Sequence, residues 1–303
     1  MKVAQVQPRS ATPERASLLG AGRRLGSAGG IVASHVLLIA VGLVFLFPFY
    51  YMAIQSVMTQ RELFSLQPVL LPNQFRYQNY TELFRLKPFG RIIFNTVFIA
   101  STATIGTVFF SSLAAFTFAK YRFPGSRWLF LSIIATMMLP EQVTLVPKYL
   151  LMVKVLHWDD TFYAVVVPRL VSAFGIFYLT QYARGAVHPE LIEAARVDGC
   201  DFFAVFRKIG FPLMMPGVTV FALLAFIWSW NDFVWPLLML NDLSRQTIPV
   251  ALSNLKDGSG TAESYWSLIM AGTTIGTFPL VALFLAGQRY IVGGLAAGAL
   301  KGL

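Results

Sequence analysis

The chain is 303 residues long, 56% hydrophobic and only 13% charged, with a mean hydropathy of +0.63. That composition excludes an ordinary soluble domain and predicts an all-α polytopic membrane protein, since apolar runs of this length satisfy their own backbone groups as helices. A net charge of +10 would suggest nucleic acid in a soluble protein, but here the basic residues sit in the amino-terminal tail and in the loops between apolar runs. There they set orientation, and no nucleic-acid partner is expected. The single cysteine, Cys200, excludes an internal disulfide, while His35, His157 and His188 are scattered without metal-ligand spacing. Neither a metal nor a cofactor is expected in this chain.

Residues 1–30 carry Lys2, Arg9, Arg15, Arg23 and Arg24 against Glu14 and are expected to form a disordered basic tail in the cytoplasm. From Leu25 through Gln60 no Asp, Glu, Lys or Arg occurs. That run outlasts the apolar core of about 7–15 residues in a signal peptide, so it predicts a retained first helix. Six segments are long enough for the roughly 20 residues that a span needs. They cover residues 31–57, 92–118, 128–150, 161–183, 213–235 and 267–290. Together they predict a transmembrane domain over 31–290, with 291–303 as a cytoplasmic tail. With both termini inside, Lys120, Arg122, Arg127, Arg184, Arg196, Arg207 and Lys208 fall on the cytoplasmic side, as the positive-inside rule asks. Segment 58–91, assigned outside, runs against the rule with Arg61, Arg76, Arg85, Lys87 and Arg91.

The polar loop 184–212 stands out between apolar spans. Pro189 suits the first turn of a short helix over 189–198, whose amino-terminal half would hold Glu190 and Glu193 in the favourable end of the dipole. Gly199 can close that helix in the left-handed conformation, and Asp201 can cap a second helix carrying Phe202, Phe203, Val205 and Phe206. Ala194 and Ala195 would leave a low surface for another backbone. By composition alone the better reading is an amphipathic loop lying on the inner leaflet. Its spacing is more specific: Glu193-Ala194-Ala195, three residues, Gly199, nine residues, then Ile209-Gly210-Phe211-Pro212.

This spacing resembles the EAA loop of the membrane-spanning subunits of binding-protein-dependent ABC importers, departing only at Phe211, where the family has Leu. The likeness extends from about Phe45 onward and is closest to the smaller permease of maltose-type sugar importers. It is carried by Asn95-Thr96, by Ala119-Lys120-Tyr121-Arg122-Phe123-Pro124-Gly125, by Trp230-Asn231-Asp232 with Trp235-Pro236, and by Gln288-Arg289-Tyr290 with Gly298-Ala299-Leu300-Lys301-Gly302. The resemblance implies a type I ABC importer fold in the cell membrane and a loop that couples the chain to an ATPase through Glu193, Ala194, Ala195, Gly199, Ile209 and Pro212. It implies as partners a second permease subunit, two cytoplasmic ATPase subunits holding ATP and Mg, and an extracytoplasmic sugar-binding protein. Segment 240–265 would enter that protein, and the tail with Gln288, Arg289 and Lys301 would lie along the ATPase interface. No G-x-x-x-x-G-K-[ST] segment occurs, so the chain is not expected to hydrolyse ATP itself.

Glu141, Arg169 and Asp232 fall inside predicted spans, where an unpaired charge facing lipid costs at least about 2.5 kcal/mol. The expected arrangement is a Glu141 to Arg169 pair that either joins the third and fourth spans or lines the path. Asp232, with Trp228, Trp230 and Asn231, could contact a sugar or make a helix-end hydrogen bond. Polyols or glycerol phosphate esters are alternative cargoes. An ion-coupled carrier using the three charges as a relay is the rival from another class.

Overall fold

The computed structural model describes residues 28–255 and 265–300, with side chains over 30–255 and 265–288, and the regular structure among them is helical throughout. Residues 1–27 of the tail predicted over 1–30 and residues 256–264 of segment 240–265 lie outside the described residues, and positions 28–30 already belong to the first helix. The chain forms two compact units, Met1–Ile54 and Gln55–Leu303. Helix α1, Ala28–Gln55, supplies the first. Its large aliphatic side chains from Ile31 through Leu46 are exposed, as suits a helix whose solvent is lipid.

In the second unit the short helices α2, Gln60–Leu63, and α3, Gln78–Leu86, precede α4, Phe89–Lys120, which spans about 48 Å at 1.5 Å per residue. Helices α5, Ser126–Thr136, and α6, Glu141–Leu150, follow, the latter ending in a wide turn at Leu151–Val155. They replace the single third span expected at 128–150 and are bent by 98° at the break. Pro140 accounts for this: it has no N–H for the ladder and disfavours helical backbone at Leu139. The chain turns there through short bonds, Met137 N–H to Ile134 O at 3.0 Å and Met138 N–H to Ala135 O at 3.1 Å.

The fourth span is also interrupted. Helix α7, Phe162–Val166, tightens into a single turn at Val167–Arg169 around Pro168, and α8, Ala173–Ala186, restarts where the Ser172 hydroxyl accepts from Gly175 N–H at 3.1 Å. Then come α9, Pro189–Val197, and α10, Phe202–Val205, which passes through a wide turn at Phe206–Gly210 into α11, Phe211–Trp230. The fifth span expected at 213–235 is thus displaced: one continuous helix runs from Phe202 to Trp230. Trp235 belongs instead to the separate helix α12, Val234–Met239. Helix α13, Ile248–Ser253, precedes α14, Trp266–Leu300, which continues past position 290 into the expected tail. Among the described residues five helices are long and apolar enough to cross a membrane, and the α5 and α6 pair makes a sixth if taken as one broken span.

Helix α4 is the centre of the packing. Its buried residues Ile92, Thr96, Ile99, Ala103, Thr107, Ser111 and Ala115 recur every three or four positions and form one stripe. Against α4 lie α8 and α11, and α11 also meets α14. Lipid is as apolar as leucine, so helices associate in a membrane by close fit rather than by escape from water, and small residues permit that fit. Gly217 lets the Tyr182 ring come within 2.6 Å of the place a Cβ would take, and Gly175 accepts the end of the Phe221 ring in the same way. Gly175→Ala should therefore lower the unfolding free energy of the purified protein by about 1–3 kcal/mol through overpacking. Gly90→Ala, with nothing within 4 Å, should change it by less than about 1 kcal/mol; denaturant titration in detergent compares the two.

Candidate coupling surface and intramembrane cavity

The loop with the EAA spacing folds into a helix, turn and helix. His188 is extended, Pro189 opens α9, and Glu190 sits in its first turn. Gly199 has φ +78°, and its N–H reaches Arg196 O at 3.0 Å while Cys200 N–H reaches Ala195 O at 2.9 Å. These paired bonds are a Schellman closure, which needs the left-handed residue. Asp201 then caps α10 by accepting from Ala204 N–H at 2.8 Å.

Glu193, Ala194 and Gly199 are exposed, with Leu191, Val197 and Phe203 presenting apolar surface near them. Ala195 is not part of a low outer surface as expected: it is buried with Ile192 and Val205 in the core beneath. Only Ala194 keeps the outward approach. Ile209 is half-buried against the same core and Pro212 is exposed at the start of α11.

The last turns of α4 and the residue after it clamp this knob. The Tyr121 ring lies 5.1 Å from Phe202, the Phe116 ring lies 5.5 Å from Phe206, and the Arg196 guanidinium lies 4.8 Å from the Tyr121 ring. Lys120 Nζ donates to Arg184 O at 3.2 Å. Each fully buried aromatic here contributes about 1.5–3 kcal/mol, which is enough to hold the knob against the end of α4.

Away from the knob, a cavity of about 580 Å³ collects Glu141, Arg169, Trp228, Asn231 and Asp232, five of the residues singled out in the sequence. Their pairing differs from expectation. Arg169 Nη2 meets Asp232 Oδ2 at 2.5 Å, with side chains 23% and 13% exposed, while the mostly exposed Glu141 lies 3.8 Å from Lys148 Nζ. The expected Glu141 to Arg169 pair is replaced because Pro140 and Pro168 break both helices and set the two side chains on different partners. Trp230 departs as well: its indole is buried, donates to Gly276 O at 3.0 Å and stacks on Phe226, so it ties α11 to α14. Sequence reasoning missed Thr107 and Ser229, which line the cavity. The polar face of α4 at i and i+4 was the signal available for Thr107.

At the opposite end of α4, Asn95 and Thr96 hold the chain before α13. Asn95 Nδ2 donates to Ser244 O at 2.8 Å, and the Thr96 hydroxyl accepts from Ile248 N–H at 2.9 Å. Glu62 orders the segment after α1 by accepting from Asn73 N–H at 2.8 Å and Thr59 N–H at 3.1 Å. Those backbone N–H groups, Asn73 first, hold its carboxyl below the usual range. Gln288 is exposed on α14 and donates to Leu285 O at 3.2 Å; the Arg289 side chain and Lys301 lie outside the described residues.

The sequence pattern of the family described as binding-protein-dependent transport system inner membrane component matches residues 107–296. This chain belongs to that family. The arabinooligosaccharides transport system permease protein AraQ of Bacillus subtilis (strain 168) is 31% identical over 274 residues, covering 89% of this chain and 96% of the relative. The sn-glycerol-3-phosphate transport system permease protein UgpE of Yersinia enterocolitica is 30% identical, covering 86% of this chain and 94% of its own. Among solved structures, a chain from the crystal structure of a bacterial ABC transporter involved in the import of the acidic polysaccharide alginate superposes with a TM-score of 0.73 at 21% identity. It covers 94% of this chain and 99% of that one, and the likeness is one of fold.

Two measurements follow for this permease. Arg169→Met or Asp232→Asn alone should destabilise by about 3 kcal/mol, because each strands a largely buried partner, and Arg169→Met with Asp232→Leu should recover much of the loss. Glu141→Gln, at a side chain 71% exposed, should cost less than about 1 kcal/mol. For Glu62 the folded carboxyl titrates below its unfolded value, so its contribution is present above the ordinary carboxylate pKa and is lost as pH falls through the lowered one. Hydrogen exchange at Thr59 and Asn73 should accelerate over that acidic window, and Glu62→Gln should remove the pH dependence.

Proposed function

We propose that this permease forms half of the translocation pathway of an ATP-driven importer for a di- or oligosaccharide delivered by an extracytoplasmic binding protein. A second permease completes the pathway, and two cytoplasmic subunits bind ATP and Mg and perform the hydrolysis; this chain is a transport subunit, not an ATPase. Both termini and the 184–212 loop are cytoplasmic, with 1–30 and 291–303 as tails flanking the transmembrane domain over 31–290. The observation that carries the reading is the helix α9 with the EAA spacing, closed at Gly199 and joined through α10 without a break to the membrane-crossing α11. The sugar cargo is supported by AraQ, which is named for the transport of arabinooligosaccharides and is alike over nearly its whole length. The second structural likeness, TM-score 0.59 at 15% identity, is to a chain of an alginate ABC transporter in complex with a periplasmic protein holding an alginate pentasaccharide. A glycerol phosphate ester is the second cargo reading, supported by UgpE.

In this mechanism the exposed Glu193, Ala194 and Gly199 enter a groove on the ATPase, Glu193 meets a basic residue there, and Ile209 and Pro212 set the root of the lever. ATP-driven closure of the ATPase pair favours one arrangement of the two knobs. The continuous helix from Phe202 to Trp230 carries that preference to the membrane as a rigid element, switching access between the two sides. Gln288, Arg289 and Lys301 lie along the ATPase interface. Glu193→Lys should leave membrane insertion and thermal stability of the permease within about 0.5 kcal/mol, since the residue is a surface one. It should nevertheless weaken ATPase co-purification or uncouple hydrolysis from uptake in proteoliposomes; fully coupled uptake by that variant would sink the assignment.

A further inference from the structure

The intramembrane cavity holds polar atoms that the protein leaves without partners. Thr107 is 5% and Ser229 7% exposed, yet neither hydroxyl has a hydrogen-bond partner, and the same is true of Arg169 Nε. All three residues line the one cavity of about 580 Å³, within the range of roughly 300–1,000 Å³ usual for small-ligand sites. A helical Thr ordinarily returns its hydroxyl to the carbonyl four residues back, as Thr96 does to Ile92 O. Thr107 does not, so its hydroxyl is available to an occupant. Buried groups of this kind are costly unless something bonds them.

The charges in the cavity balance in number. Arg169 is taken by Asp232 and Lys148 lies against Glu141, so two cations face two anions and no unbalanced charge remains for an ionic solute. The groups in need of a partner are two hydroxyls and one N–H. A hydroxyl of the occupant can accept from Arg169 Nε–H and also exchange bonds with Ser229 and Thr107, since it is donor and acceptor at once. Trp228, 48% exposed, adds an aromatic surface at the rim for the apolar face of a ring.

We propose that this cavity is a sugar subsite of the permease itself, taking one ring of a neutral oligosaccharide and discriminating against anionic solutes such as uronates or phosphate esters. The proposal rests on the importer reading and adds the charge class of the cargo and the direct contact by this chain.

The test uses the complete importer in nanodiscs without binding protein and, as probes, arabinotriose, maltotriose and cellobiose, with glycerol 3-phosphate as the anionic counterpart. Saturation-transfer NMR should show contact with at least one neutral sugar. Thr107→Val with Ser229→Ala, a pair that removes both hydroxyls and at most one heavy atom of volume, should weaken that sugar's binding by about fivefold or more as hydrogen bonds are lost. In a Cys200→Ser background, the same sugar should slow thiol labelling of Asn231→Cys, and glycerol 3-phosphate should not. No transfer to any of the three sugars, transfer unaltered by the double variant, or stronger protection by glycerol 3-phosphate would each overturn the subsite. ATP hydrolysis by the unaltered importer is measured in the same nanodiscs with loaded binding protein added. Normal stimulation there assigns a negative result to the subsite alone, and its absence sinks the importer reading together with the subsite.

Discussion

The close contact of α8 with α11 is what both the knob and the cavity depend on. The Phe221 ring fills the space above Gly175, and Tyr182 closes over Gly217, so at those points an aromatic ring of one helix packs directly on the bare backbone of the other. In a membrane that fit is the principal source of association, because hydrocarbon offers leucine and phenylalanine no less than a helix does. Towards one end this contact sets the carboxyl end of α8, from which the chain enters the knob of α9 and α10. Towards the other it leaves the cavity, where Phe221 itself forms part of the wall.

Two breaks and one widening of the helical ladder shape the bundle. Pro140 bends α5 from α6, Pro168 ends α7, and the wide turn at Phe206–Gly210 prepares the ladder for Pro212 and Pro216. Proline removes a backbone donor, and where lipid is the solvent the freed carbonyl must find protein or water. The first two breaks lie where Glu141 and Arg169 reach the cavity. The third does the opposite mechanically, since the helix axis continues through it and α10 remains one body with α11.

Much of the knob formed by α9 and α10 was legible in the sequence because its geometry is local. A left-handed residue at Gly199, a cap at Asp201 and a proline opening α9 are each decided within a few residues by backbone sterics and orphan donors. Asn95 and Thr96 could be singled out by resemblance, but their task of holding Ser244 and Ile248 involves partners some 150 positions away and carries no local signature. The fate of Ala195 was hidden for the same reason: an alanine in a short helix reads alike whether it faces a partner or its own core.

The sequence by itself determined the membrane class, the approximate places of the apolar segments, and the helix, turn and helix that α9 and α10 form, because hydropathy, periodicity and turn chemistry act over short stretches of chain. Only the tertiary structure decided which charges meet. Arg169 lies 63 positions from Asp232 and far nearer in sequence to Glu141, so depth along a straight helix favoured the wrong partner. The proline breaks rotate and displace those side chains by amounts that no linear count of residues contains, and they gather Thr107, Ser229 and the two ion pairs around one cavity.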